Sequence, residues 1–462
     1  MEPKDPQHDA ILLHEAFVTE TTELPLTSRD TVPLTKNNTL TSLDGLRGIA
    51  ALIVYFHHHV TEYYGINNDL EHPYGYQGRY HFGQWRFVQL FFAGGTPAVM
   101  MFFVLSGYVL SRGALQMVWK GEGARTILRY LLTAVLRRPI RLWLPPILVS
   151  LPVVLAMHTP LRPLGGFTAF QPNIFAELRT YFIRLLQTIN PFIMHGPFAQ
   201  SFDYNPPVWT MAYELNGSML VYAMMAICGP FLCLRNRMLA FTIAVFVAFE
   251  YGHFSLVPFV LGMMIAELDV ASLDQPYIDR MTKFAQYLLF SAMAVIGWYF
   301  LSDFGPLIKP ERPWFGLSGD WIPFIFYHNP NFVANIMGAC CLVYAALRLS
   351  WLQNLLTRAG WLGRVSFGLY LTHVPVIWFF SHRVRRCFGY PLGEAEARAF
   401  TDGWLPIPDI GPLGLTTRYL AMQLVVLPLN LILAEVVTVW IDQTSVTVSK
   451  RFAARVMQKI HI

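Results

Sequence analysis

The chain has 462 residues, of which 54% are hydrophobic and only 14% are charged, and its formal net charge is +5. A water-soluble domain carries roughly a quarter charged residues, so this composition excludes an ordinary soluble protein. The basic residues lie in short turns between apolar segments, and the positive charge therefore gives no reason to expect nucleic acid as a partner. The composition predicts an integral membrane protein.

About ten apolar segments are long enough, or nearly so, to cross a bilayer, which takes about 20 helical residues. They follow a polar segment, residues 1–41, whose composition predicts a disordered tail. The predicted spans are Ile49–Val60, Phe87–Leu110, Ile140–Met157, Val208–Leu232, Met238–Phe249, Phe254–Ala266, Phe284–Leu301, Phe332–Leu347, Leu362–Phe380 and Tyr419–Ile441. We therefore predict an all-α polytopic protein with a membrane domain over residues 42–450 and a C-terminal tail over residues 451–462.

The distribution of basic residues predicts the orientation of these spans. The segments that would share a side with both termini hold 21 lysines and arginines, whereas the longer segments opposite them hold 12. Because basic residues are retained on the cytosolic side, we expect both termini in the cytosol. Arg383, Arg385 and Arg386 are the exception, since this orientation places them outside.

The first span carries ionisable groups, and a charge at bilayer depth costs about 2.5–3.5 kcal/mol. Arg47 and His58 are eleven positions apart, so they share one helix face, roughly 16 Å apart along the axis. Asp44 can pair with Arg47 one turn away. The run His57–His59 is either an interfacial cluster or the source of a general base, because an imidazole titrates near neutrality. Its spacing does not favour a metal site.

Polar residues in the second and third spans also need a role. Ser106 lies among apolar residues, where a small side chain serves either close helix packing or a polar function. Arg137, Arg138 and Arg141 surround Pro139, a residue that suits the first turn of a helix. A helix start with several arginines would bind a phosphate, although cytosolic anchoring of the span explains the same residues.

Two later spans carry ionisable residues at depth. Glu214 lies about two turns inside the fourth span and needs a partner there. His373 lies in the middle of the ninth span, where a histidine is either structural or functional. Glu250, Glu267 and Glu435 lie near span ends, and we interpret them as structural.

Five motifs occur in order along the membrane part of the chain. They are Ser42–Gly48 with His58, Phe102–Tyr108, Arg137–Leu142, Trp209–Thr210 with Glu214, and Ser366–Pro375. Together they resemble the motifs of the acyltransferase-3 family of membrane acyltransferases, over about residues 42–445. Members of that family transfer acyl groups, commonly acetyl, from acyl-CoA to hydroxyls of glycans, lipids or secondary metabolites.

The resemblance implies roles for the ionisable residues of the first and third spans. Arg47 and His58 would form the essential pair of the first span, with His58 at the reaction centre. Arg137, Arg138 and Arg141 would lie near the CoA site.

The fourth motif resembles the family pattern only in part. Glu214 would be the acid of the Trp–Thr motif. The residues after it, Leu215 and Gly217–Ser218, depart from the pattern of bacterial members. That departure indicates a eukaryotic, fungal branch and disfavours bacterial glycans as acceptors.

We therefore expect a membrane O-acyltransferase that takes acyl-CoA, and acetyl-CoA in particular, as co-substrate without a metal. An acceptor hydroxyl is a poor nucleophile until a base removes its proton, the role expected of His58. Arg47, Ser106 or His373 would donate hydrogen bonds to the developing oxyanion. Direct transfer is favoured, and an acyl-enzyme on Ser106 is the alternative.

The remaining expected partners are membrane lipid and a hydroxyl-bearing acceptor, with a homo-oligomer left open. The protein would lie in an endomembrane or the plasma membrane. A transporter with a buried Arg, His and Glu pathway is the competing class, and the lack of an internal repeat argues against it. A non-catalytic relative that binds acyl-CoA or lipid is the third alternative.

Overall fold

The computed structural model describes residues 35–65, 68–72, 75, 78–164, 170–190, 202–302, 330–391 and 399–460. The helices are α1 (Thr35–Tyr64), α2 (Gly95–Trp119), α3 (Ala124–Ala156), α4 (Ile174–Ile189), α5 (Trp209–Cys228), α6 (Leu234–Glu250), α7 (Val257–Val270), α8 (Lys283–Leu301), α9 (Pro330–Arg348), α10 (Ser350–Arg358), α11 (Gly360–Val376), α12 (Thr417–Val437) and α13 (Gln443–Lys459). The shorter elements are the short helices Leu90–Ala93, Gln275–Ile278 and His382–Cys387, the 3-10 turns Asp69–Glu71, Phe82–Gln84 and Pro206–Val208, and the π-helical turns Ile377–Ser381 and Thr438–Asp442. No β-strand occurs within these ranges, which confirms the all-α class.

Each predicted span overlaps a helix, but the helix ends differ from the predicted ones, and the span Phe87–Leu110 is divided between the short helix Leu90–Ala93 and α2. α1 begins at Thr35, so residues 35–41 of the predicted tail are helical, while residues 1–34 lie outside the described residues. α13 likewise continues through most of the predicted C-terminal tail to Lys459. Local composition marks where a chain is polar, whereas packing against neighbours decides where a helix ends.

Four helical segments of the described chain are long and apolar enough by themselves to cross a membrane. They are α2, α3, α8 and the continuous α12–α13 segment, and the pair α9–α10, bent by 97°, would be a fifth. Other helices, such as the 14-residue α7, are shorter than a full span. The number of about ten spans therefore stays a prediction.

The interior of α3 contradicts the prediction that Pro139 starts a helix. α3 begins at Ala124 and contains Pro139 in its interior, together with three further prolines. Each internal proline removes a backbone hydrogen bond, but α3 continues because it packs against α5 and α13 and because a break at membrane depth would leave more backbone groups unpaired. A phosphate site at a helix start is therefore wrong, although the arginines themselves remain candidates.

Glycines in the motifs allow the backbones of neighbouring helices to approach each other closely. At Gly48 of α1, a Cβ atom would overlap the backbone of Gly363 in α11. At Gly107 of α2, a Cβ atom would overlap the backbone of Phe259 in α7. Close packing therefore explains Gly107, whereas the neighbouring Ser106 has a polar partner, described below.

Two of the three acidic residues that we interpreted as structural form ion pairs within the protein. Glu267 is fully buried and pairs with Arg237 at 2.7 Å, and its carboxylate also accepts a hydrogen bond from an indole N–H. Glu435 pairs with Arg364 at 2.6 Å at a more exposed position. Glu250 is exposed at the end of α6.

The three arginines that disagree with the predicted orientation bind neighbouring protein groups. Arg386 donates two hydrogen bonds to Asp402, at 2.9 and 2.7 Å. Arg385 donates to the backbone carbonyl of Glu62 at 3.1 Å, and Arg383 donates to two backbone carbonyls. These three side chains therefore stabilise loops and helix ends through hydrogen bonds. That structural role accounts for them without placing them in the cytosol.

We expect cysteine labelling to reveal the orientation of the chain. Cys233 is an exposed native cysteine between α5 and α6, on the side predicted to be cytosolic. Thr159→Cys, made in a Cys233→Ser background, places a thiol in the loop predicted to lie outside. An impermeant maleimide should label the two thiols from opposite sides of sealed membranes, with Cys233→Ser alone as the background. Labelling of both from the same side contradicts the orientation.

Candidate active site

A cavity of about 150 Å³ lies between α1, α2, α3, α5, α11 and the π-helical turn after α12. Its polar lining residues are Arg47, Ser106, Arg138, Arg141, Thr210, Glu214, Ser366, Tyr370 and Asp442. Its apolar lining residues are Val99, Phe102, Phe103, Val109, Leu110, Leu142, Met211 and Phe367. All five sequence motifs contribute to this wall, so residues more than 300 positions apart in the chain converge on one site.

Glu214 is the centre of the charged part of the cavity. Its Oε1 accepts a hydrogen bond from Arg138 Nη2 at 2.6 Å and another from the Ser106 hydroxyl at 2.6 Å. Arg138 Nε also donates to the Ser218 hydroxyl at 2.9 Å. Glu214 thus has the partners that an acidic residue at membrane depth requires, namely a guanidinium from α3 and a hydroxyl from α2. The same contacts fix the position of the Arg138 guanidinium in the cavity wall.

The other two arginines of the cavity also lie near carboxylates. Arg47 pairs with Asp44 at 2.9 Å, as the spacing on α1 predicted. Arg141 lies within electrostatic range of Asp442, which is 2% exposed and whose Oδ1 has no hydrogen-bond partner in the described part of the chain. The sequence interpretation missed Asp442, because it directly follows the last predicted span, and acidic residues near span ends were interpreted as structural.

Arg137 is not part of the cavity wall. Consecutive residues of a helix point about 100° apart, whereas Arg138 and Arg141, three positions apart, share a face. Arg137 is half-buried, and its Nε has no hydrogen-bond partner within the ranges that the structure describes. The structure therefore brings two of the three predicted arginines to one site.

His58 and His373 form a pair of rings outside the cavity wall. Their centroids are 4.9 Å apart. His58 Nδ1 lies 3.0 Å from the Val54 carbonyl oxygen. Because a carbonyl only accepts, Nδ1 carries the proton in the neutral ring and Nε2 keeps its lone pair. His373 Nδ1 lies 3.3 Å from the Leu369 carbonyl oxygen, and its buried Nε2 has no partner among the described residues.

The two histidines beside His58 have their own neighbours, as helix rotation predicts, although the His57 ring also lies 5.0 Å from the His58 ring. His59 is buried, with Nδ1 at 2.9 Å from the Tyr55 carbonyl oxygen and Nε2 at 3.2 Å from the Ser381 hydroxyl. Both of its nitrogens are therefore engaged. His57 packs against Gly95, where a Cβ atom would overlap the imidazole.

Tyr370 connects the cavity with the His58–His373 pair, and Phe102 packs against Tyr370 in the cavity wall. Both side chains line the cavity, and their ring centroids are 5.9 Å apart. The Tyr370 ring is also 5.7 Å from the His373 ring. Tyr370 precedes His373 by three positions, which places both on one helix face. Phe102 and Tyr370 both belong to the family motifs, but neither of them has a role predicted from the sequence.

Arg47 and His58 occupy different parts of the site. Arg47 lines the cavity, whereas His58 contacts His373. The shared helix face predicted from their spacing implies a separation of roughly 16 Å along α1. Arg47 and His58 therefore belong to two neighbouring parts of the candidate site and do not contact each other directly.

The comparison with known proteins agrees with the converging motifs. The chain matches the family model described as an acyltransferase domain over residues 40–416. It belongs to the acyltransferase-3 family, whose members are integral to membranes. It is similar to the O-acetyltransferase PaAT-1 of Phomopsis amygdali, with 28% identity over 453 residues, 88% of this chain and 83% of the relative. No solved structure matches the chain.

Proposed function

We propose that this protein is a membrane-embedded O-acyltransferase that transfers an acyl group, acetyl in particular, from acyl-CoA to an acceptor hydroxyl. The observation that carries the proposal is the convergence of all five motifs on one cavity, with arginines at its charged part and a histidine pair beyond its aromatic wall. Family membership supports acyl transfer, and the similarity to PaAT-1 supports a hydroxyl acceptor and an acetyl group.

Arg138 and Arg141 would bind phosphates of the CoA moiety. Arginine binds phosphate through paired hydrogen bonds, and phosphate oxygens can replace carboxylates as partners. Arg138 is paired directly with Glu214, and Arg141 lies within electrostatic range of Asp442, so both positive charges are balanced before a ligand arrives. The apolar wall formed by residues such as Val99 and Leu110 then suits the pantetheine arm.

His58 would act as the general base. Its Nε2 takes the proton of the acceptor hydroxyl while the hydroxyl oxygen attacks the thioester carbonyl. A C–O bond forms, the C–S bond breaks, and the CoA thiolate leaves and takes up a proton, which restores His58. The tautomer that donates from Nδ1 to the Val54 carbonyl supports this role, because it leaves Nε2 able to accept.

The three candidate oxyanion donors differ in their surroundings. Ser106 donates its hydroxyl proton to Glu214, and Arg47 lies roughly 16 Å from His58 along α1. His373 lies beside His58 and is the nearest of the three to the proposed base. Its Nδ1 faces the Leu369 carbonyl, so the neutral ring would donate from Nε2 only after its proton moves from Nδ1 to Nε2.

An acyl-enzyme on Ser106 is the less favoured route. Glu214 accepts the Ser106 hydrogen bond and would have to serve as its base. The same carboxylate oxygen accepts a hydrogen bond from the Arg138 guanidinium at 2.6 Å, so taking up the Ser106 proton would leave that guanidinium without its charged partner. Direct transfer needs no such step.

Purified protein in detergent, incubated with radiolabelled acetyl-CoA and fractions of extracted lipids, glycans and metabolites, tests the proposal. We expect the thioester to be consumed and the label to enter an ester product that mass spectrometry identifies. A transporter would move a solute without consuming thioester, and a non-catalytic relative would bind acyl-CoA without turnover. Either outcome contradicts the proposed function.

A further inference from the structure

We infer that Phe102 and Tyr370 form an aromatic partition that limits the length of the acyl chain. This inference rests on the proposed function and adds a specificity to it. The thioester carbonyl has to reach an acceptor hydroxyl beside His58, whereas the phosphates would stay with Arg138 and Arg141. The thioester end of the donor therefore has to pass the two aromatic rings.

The two rings come from different helices and meet edge to face. Phe102 belongs to α2 and Tyr370 to α11, and their planes are inclined by 77°. On the far side, the Tyr370 ring contacts His373, which is fully buried and contacts His58. The side chains beyond the partition are thus packed together, and each additional methylene of an acyl chain needs space that these rings occupy.

Tyr370 is the fixed half of the partition. Its hydroxyl lies 2.8 Å from the Thr210 hydroxyl and donates to the Pro207 carbonyl at 3.0 Å. The side chain is also 6% exposed. Two hydrogen-bond partners at the start of α5 therefore hold the ring in one orientation.

Phe102 is the adaptable half. It is half-buried, and a phenylalanine ring has no polar atom with which to anchor itself. It packs against apolar residues of α1 and α11. The position of the Phe102 ring therefore decides which acyl chains fit beside His58. A short acyl group requires the smallest displacement of that ring.

The acyl group itself would enter the packed region beyond the partition, where His373 is fully buried. A longer acyl chain therefore has to displace more side-chain atoms there. Acetyl, which has a single methyl group beyond its carbonyl carbon, is the acyl group that fits with the least rearrangement.

The test compares acetyl-, butyryl- and hexanoyl-CoA as donors, with the acceptor fraction that supports wild-type turnover and release of the CoA thiol as the signal. Phe102→Ala should raise the ratio of kcat/KM for hexanoyl-CoA to that for acetyl-CoA at least about tenfold, since one methylene changes specificity by about 10- to 200-fold in an apolar pocket. Phe102→Leu, which keeps more of the packing, should shift the ratio in the same direction by less.

A control outside the cavity separates chain-length selection from general damage. Phe241→Ala removes a fully buried ring in α6, which is not in the cavity wall, and should leave the ratio unchanged. Tyr370→Phe keeps the ring but removes the hydrogen bonds that fix it, so it should shift the ratio in the same direction as Phe102→Ala by less. An unchanged ratio in active Phe102→Ala or Phe102→Leu protein overturns the partition alone. A wild-type protein that cleaves none of the three thioesters overturns the proposed function and the partition together.

Discussion

Replacing His58 with alanine should lower kcat at least about 100-fold, while protein yield and acyl-CoA binding stay near the wild-type level. A general base has to approach the acceptor proton to about 2.6–3.2 Å, and a residue rotated by about 100° on the same helix cannot do so. The hydrogen bond from His58 Nδ1 to the Val54 carbonyl orients the ring and leaves Nε2 to accept the proton. Steady-state kcat at saturating acetyl-CoA measures the effect.

The neighbouring histidines are matched controls for this substitution. His57→Ala should be mild, because that ring packs against Gly95 away from His373. His59→Ala removes contacts to the Tyr55 carbonyl and Ser381, so its main effect should be on protein yield and thermal stability. The pH profile of wild-type kcat should contain an ionisation that the residual activity of His58→Ala lacks. Normal turnover of His58→Ala would disprove the assignment and make His373 the next candidate.

Replacing Arg141 with alanine should raise the KM for acyl-CoA about 10- to 100-fold, which corresponds to about 1.5–3 kcal/mol for a hydrogen bond to a charged group. Lysine should restore the affinity only partly, because it lacks the two-pronged guanidinium. Asp442→Asn should change KM in the opposite direction, since it removes the charge that faces Arg141 in the empty cavity. Initial rates over a range of acetyl-CoA concentrations measure both effects.

Arg138 needs a different design, because its removal leaves a buried carboxylate. Arg138→Ala deprives Glu214 of the ion pair at 2.6 Å, and breaking a buried pair in this way costs about 3–5 kcal/mol. The double variant Arg138→Ala, Glu214→Gln removes both charges, so it should recover yield without recovering affinity. If the Arg141 and Arg138 variants keep a normal KM and lose only yield, these arginines anchor the span and do not bind CoA.

Local patterns predicted some residues well and others poorly. The spacing of Arg47 and Asp44 on one helix predicted their ion pair, since helical geometry alone brings residues three apart together. The prediction that a helix begins at Pro139 was wrong, because it rested on a weak local tendency. The packing of α3 against α5 and α13 outweighs the preference of proline for a first helical turn. At Ser106 and Gly107 the two alternative roles of small residues are divided between neighbours, one polar and one packed.

The sequence by itself determined the membrane class and the family, because composition and motif order are properties of the linear chain. Only the tertiary structure decided that Arg137 lies outside the cavity, that Asp442 belongs to it and that His58 contacts His373. These relations join side chains from helices hundreds of residues apart, such as α1 and α11. Helix periodicity determines which residues share a helix face. Which other helix that face contacts depends on how the helices pack against one another.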